Sequence, residues 1–138
     1  MPAEIYGSDY AFLSRQQWLT PGELRRIAGL FMQLGVNKLR LTGGEPLLRR
    51  DIAEIVATLS DLPGLKDLAL TTNGTLLAGY VSELKAAGLR RITVSLDSLD
   101  PIVFREMSGE RGELEPVLEG IEAAQNVGLD PIKVNVVV

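Results

Sequence analysis

The sequence contains neither cysteine nor histidine. Without cysteine there is no disulfide, no thiol nucleophile and no thiolate for zinc or an iron–sulfur cluster. Without histidine there is no imidazole base and no nitrogen ligand. Chemistry done by the chain's own side chains is left to carboxylates, lysine, tyrosine or a borrowed cofactor. An excess of positive charge is also missing. The formal net charge is −4, so the surface as a whole carries no footprint for nucleic acid, and none is expected as a partner. No apolar run is long enough to span a bilayer and no secretory signal opens the chain, so no membrane association and a cytoplasmic location are expected. Walker-type and G-x-G-x-x-G glycine loops are absent as well.

What is present suits one domain. The 138 residues are 46% hydrophobic and 23% charged, enough to bury a core. A unit recurs along them: a short β-branched or Leu-rich run, a polar turn, then a helical pattern. Candidate strands lie near Lys38–Thr42, Asp67–Asn73, Arg91–Asp97 and Ile132–Val138. Between them, Thr20-Pro21-Gly22-Glu23 supplies an N-cap, a first-turn proline and a capping-box Glu. Leu24, Ile27, Leu30, Phe31 and Leu34 then recur at helical spacing up to Gly35. A second helix carries Ile52, Ile55, Val56 and Leu59 before Pro63-Gly64, and a third runs around Tyr80 to Ala87. A fourth carries Leu114, Val117, Leu118, Ile121 and Ala124 before Gly128. Ser98 or Asp100 is placed to cap a short helix at Pro101. This alternation predicts an α/β fold, a partial (β/α) barrel of about four parallel strands with right-handed crossovers. A complete barrel takes about eight such units. The apolar last strand would leave a naked edge, so residues 1–138 are expected to be one partial barrel domain truncated at both ends. The competing arrangement is a small open, doubly wound sheet.

Buried parallel strands are normally apolar throughout; these alternate. Leu39 and Leu41 oppose Lys38, Arg40 and Thr42, and Leu68 and Leu70 oppose Ala69, Thr71 and Asn73. Ile92, Val94 and Leu96 oppose Thr93, Ser95 and Asp97, and Ile132, Val134 and Val136 oppose Lys133 and Asn135. The apolar set should face the helices. The other face then lines a cavity where Arg40, Thr71, Ser95 and Lys133 converge, and a negatively charged polar ligand would meet the two cations.

Polar turns follow the strands. In Thr42-Gly43-Gly44-Glu45-Pro46 two glycines let the backbone approach a ligand, and Glu45 adds an acceptor. Thr71-Thr72-Asn73-Gly74 and Ser95-Leu96-Asp97-Ser98 close the next two strands. Each alone is ordinary turn chemistry; together they mark the strand ends at which such sheets bind. The basic pairs Arg49-Arg50 and Arg90-Arg91 are expected on solvated surface.

Five segments in register resemble the radical S-adenosylmethionine (SAM) superfamily, and within it the GTP cyclases of molybdenum-cofactor synthesis. They are Met1-Pro2-Ala3-Glu4, Arg40 to Leu47 with Arg49-Arg50-Asp51, Leu70 to Gly74, Val94 to Asp97, and Lys133 to Val137. The resemblance implies a lyase in which SAM and a 4Fe–4S cluster act on GTP. It implies that the turn carrying Gly43, Gly44 and Glu45, together with Ser95, holds SAM, and that Arg40, Thr71 and Lys133 contact GTP. It also implies that Met1 follows the last cysteine of a C-x3-C-x2-C cluster loop. No cysteine is present here, so the chain alone is expected to be inactive. Two other readings remain at this level: a non-catalytic nucleotide- or SAM-binding fragment, and a Schiff-base aldolase with Lys133 as nucleophile.

Overall fold

The computed structural model describes Ser14, residues 17–109 and residues 112–137. The Met1–Glu4 segment of the resemblance and the terminal Val138 lie outside them.

The elements alternate as the pattern predicts. They are α1 (Pro21–Gln33), β1 (Lys38–Leu41), α2 (Ile52–Ser60), β2 (Asp67–Thr72), α3 (Leu77–Ala86), β3 (Arg91–Ser95), α4 (Pro101–Met107), α5 (Leu114–Asn126) and β4 (Ile132–Asn135). A single 3-10 turn, Pro46–Leu48, follows the glycine loop. Local chemistry sets several starts. Thr20 and Glu23 close the capping box on α1, with Thr20 N–H donating to Glu23 Oε2 at 2.8 Å. Asp100 Oδ1 accepts from the N–H groups of Ile102 and Val103 at the head of α4.

All four strands are parallel and lie in the order β1-β2-β3-β4. Sequential order with right-handed crossovers keeps every helix on one side of the sheet. A doubly wound sheet needs a reversal of strand order, and none occurs among these strands, so the barrel-type arrangement prevails. The helix-side face packs as its pattern requires. Leu68, Leu70, Ile92 and Val94 are fully buried with Ile55, Val56, Leu77, Val81, Leu84 and Val117 from the helices.

Four expectations need correction. The apolar stripe of α1 is not buried as a unit: Leu24 is partly covered, but Leu30, Phe31 and Leu34 are exposed, Leu34 by 81%. The reason is position, because α1 lies at the edge of the sheet that ends in β1 and packs chiefly on α2. For the same reason Val134 on the opposite edge is 42% exposed. The third helix starts at Leu77, three residues before Tyr80, and β4 ends at Asn135. Arg49 is largely covered and engaged rather than solvated, whereas Arg91 is exposed as expected but paired with Asp67, as described below.

Candidate functional site

Strand register turns the period-two pattern into neighbours. Arg40 on β1 stands beside Ala69 on β2, which stands beside Arg91 on β3. One step further along, Thr71, Thr93 and Lys133 form a row across β2, β3 and β4, and the next row pairs Ser95 with Asn135. Arg40, Thr71, Ser95 and Lys133 therefore share the face away from the helices. Arg40 and Thr71 touch; Ser95 and Lys133 are exposed on the same face.

Arg40 is the centre of this face. Its Nη1 donates to Thr71 Oγ1 at 2.9 Å and to Thr93 Oγ1 at 3.0 Å. Both hydrogens of one terminal nitrogen are thus used, on two different strands. The remaining edge, Nε and Nη2, meets no partner among the described residues. That edge is the one a guanidinium uses for bidentate anion binding. Two other arginines of the chain show it at work. Arg49 places Nε and Nη2 on the two carboxylate oxygens of Asp51, at 2.8 and 2.9 Å. Arg91 does the same with Asp67, its Nε–Oδ1 distance being 3.0 Å. Arg91 belongs to the same face but is neutralised near the N-terminal ends of the strands. From the same row Arg40 reaches the other way, to Thr71 and Thr93, and neither Arg40 nor Lys133 has a carboxylate partner among the described residues. The uncompensated guanidinium thus reaches into the row of Thr71, Thr93 and Lys133, on the side of the strand-end loops.

The loop after β1 is held by a second network. Glu45 Oε1 accepts from Leu47 N–H at 3.0 Å and from the Thr72 hydroxyl at 2.8 Å, and Oε2 accepts from Asn73 N–H at 2.8 Å. Thr72 is buried, and its oxygen also accepts from Gly74 N–H. The Glu45 carboxylate thus ties its own loop to the end of β2, a positioning role. Gly43 has φ +151°, a backbone state side chains resist, while a Cβ at Gly43 or Gly44 would meet no atom within 4 Å. At Gly44 the folded chain itself gives no reason for glycine. Open space beside a bare backbone at a strand end is what close approach of a ligand requires.

Arg49 lies further along. It pairs with Asp51, donates to the Leu19 carbonyl at 2.6 Å and sits 5.5 Å from the centre of the Trp18 ring. The hydrogen bond from Arg49 holds the Asp51 carboxyl below the ordinary aspartate range and raises the guanidinium in turn. Trp18, Thr20, Arg49, Arg50 and Asp51 border a cavity of about 270 Å³ between the start of α1 and this segment.

Among the described residues no cluster of three or more carboxylate, imidazole or thiol groups is arranged for a metal, and the whole chain lacks cysteine. The chain's own residues therefore do not fit an iron–sulfur cluster. No helix among the described residues is long and apolar enough to cross a membrane.

The model of the radical SAM superfamily matches residues 6–138. The chain belongs to the radical SAM superfamily. That superfamily uses SAM and a 4Fe–4S cluster, and the four parallel strands with their helices form a sector of its barrel-type fold. Over all 138 residues the chain is 54% identical to a GTP 3′,8-cyclase of Acidothermus cellulolyticus, covering 38% of that protein. It is 53% identical to a GTP 3′,8-cyclase of Xanthomonas axonopodis pv. citri, covering 41%, and 46% identical to one of Staphylococcus aureus, covering 40%. The chain spans about two fifths of the length of these curated relatives.

Sequence reasoning missed two members of the site. Thr72 carried the only available signal for its role, a polar residue on an otherwise apolar strand face. Thr93 was on the polar face from its parity alone, but nothing in the sequence linked it to Arg40.

Proposed function

We propose that this chain supplies the nucleotide- and SAM-binding wall of a GTP 3′,8-cyclase that acts in molybdopterin synthesis. The observation that carries the reading is the half-satisfied guanidinium of Arg40. Two threonines occupy its back, and the bidentate edge is left for an anion. In this reading Arg40 and Lys133 neutralise the phosphates of GTP, and the Thr71 hydroxyl, already oriented by Arg40, adds a polar contact. The bare backbone at Gly43 and Gly44 takes the amino group of SAM. Glu45 fixes that backbone against β2, and Ser95 contacts SAM from the end of β3. In the superfamily SAM supplies the radical that attacks the substrate, and the protein orients both partners. The cluster this chemistry needs finds no ligands in this chain, and the chain by itself performs no SAM cleavage. Lys133 is exposed, without the desolvation that makes a Schiff-base lysine nucleophilic, so the aldolase reading gains nothing from the structure.

Calorimetric titration tests the assignment. Arg40→Ala is expected to weaken GTP binding by on the order of tenfold or more, the usual loss for a hydrogen bond to a charged group. Gly44→Val is expected to weaken SAM binding and spare GTP. GTP affinity unchanged in Arg40→Ala would remove the basis of the proposal.

A further inference from the structure

We propose that Thr93 is a positioning residue for the anion site, acting through Arg40. The inference rests on the assignment of Arg40 as a phosphate ligand and concerns what holds that ligand in place.

Arg40 begins on β1, yet one of its two anchors is on β3, with β2 between them. The residue beside Arg40 on β2 is Ala69, whose methyl group leaves the inner face low at that point. The guanidinium crosses that step to reach Thr93 Oγ1 at 3.0 Å, while Thr71, one row further on, takes the second hydrogen of the same nitrogen. A single anchor would leave the planar group free to swing about the bond. Two anchors on different strands fix the plane, and with it the direction of the Nε/Nη2 edge. Preorganisation of this kind reduces the entropy lost when the ligand binds.

Thr93 and Thr71 differ in access. Thr71 is half-buried and itself assigned to ligand contact, whereas Thr93 is only 3% exposed. A hydroxyl so covered reaches a ligand only through the guanidinium it holds. A hydroxyl so buried also needs a polar partner, which Arg40 provides.

The test compares wild type, Thr93→Val, Thr93→Ser, Arg40→Ala and the Arg40→Ala/Thr93→Val double variant. Valine is isosteric and suits a strand; should it prevent folding, checked by urea denaturation, Thr93→Ala takes its place. Thr93→Val is expected to weaken GTP binding by on the order of tenfold, and Thr93→Ser to restore it. The double variant should bind no worse than Arg40→Ala, since the threonine acts only through the arginine. Without ligand, the Arg40 guanidinium hydrogens should give separate NMR signals at low temperature in wild type and Thr93→Ser, merging in Thr93→Val. If Arg40→Ala weakens GTP binding while Thr93→Val does not, the positioning role is wrong and the phosphate assignment stands. Additive losses in the double variant, or identical guanidinium spectra, also overturn it. If Arg40→Ala is without effect, the phosphate assignment itself fails, and the positioning role with it.

Discussion

The hydroxyl of Thr72 donates to Glu45 Oε1 at 2.8 Å and joins the end of β2 to the glycine loop that follows β1. The neighbouring Thr71 faces the opposite side of the strand and holds Arg40. Two adjacent threonines thus serve two different sites, one on each face, because successive side chains of a strand point in opposite directions.

Thr72→Val removes a buried hydrogen bond to a carboxylate without changing shape. A loss of about 1–3 kcal/mol in stability is expected from urea denaturation. The loop should loosen as well, so SAM binding falls while GTP binding changes less. Full retention of both stability and SAM affinity would contradict the clamp.

The glycines sort into two classes by what a side chain would meet. At Gly120 an added Cβ would sit 2.8 Å from the backbone oxygen of Gly74, where α5 packs against the turn leading into α3. Gly120→Ala should therefore cost about 1–3 kcal/mol as overpacking. Gly44→Ala meets open space and ordinary backbone, so its stability should match wild type, with any defect confined to SAM binding. Equal destabilisation by the two substitutions would refute the distinction.

Acid stability should depend on Asp51. Its carboxyl is held below the usual range chiefly by the hydrogen bond from Arg49. A depressed carboxylate contributes stability that is complete above the ordinary aspartate range and disappears as pH falls through the lowered value. Glu23, lowered by the Thr20 backbone N–H, acts in the same direction. Urea midpoints measured against pH should fall on the acid side, and Asp51→Asn should flatten that fall. An unchanged acid slope in Asp51→Asn would count against the pairing.

Leu34 lies on the helical stripe that the sequence assigns to the core, yet it is 81% exposed. Leu34→Lys is expected to leave stability within about 0.5 kcal/mol of wild type, whereas Val56→Ala, at a fully buried site, should show the cost of a cavity. A large loss at Leu34 would mean that the exposed stripe of α1 is covered in solution.

The sequence by itself determined the alternation of strands and helices, the side of the sheet to which each strand residue belongs, and the turns at the strand ends. These depend on periods of 2 and 3.6 residues and on backbone preferences of glycine and proline, all of which act over a few residues. Only the tertiary structure decided that Arg40 reaches Thr93, that Asp67 neutralises Arg91, that Glu45 finds Thr72, and that the stripe of α1 lies uncovered at the edge. Each is a meeting, or a missing neighbour, between segments roughly 20 to 50 residues apart. A period fixes the direction of a side chain; the partner it meets there is set by strand order and register, which emerge only when the sheet is assembled.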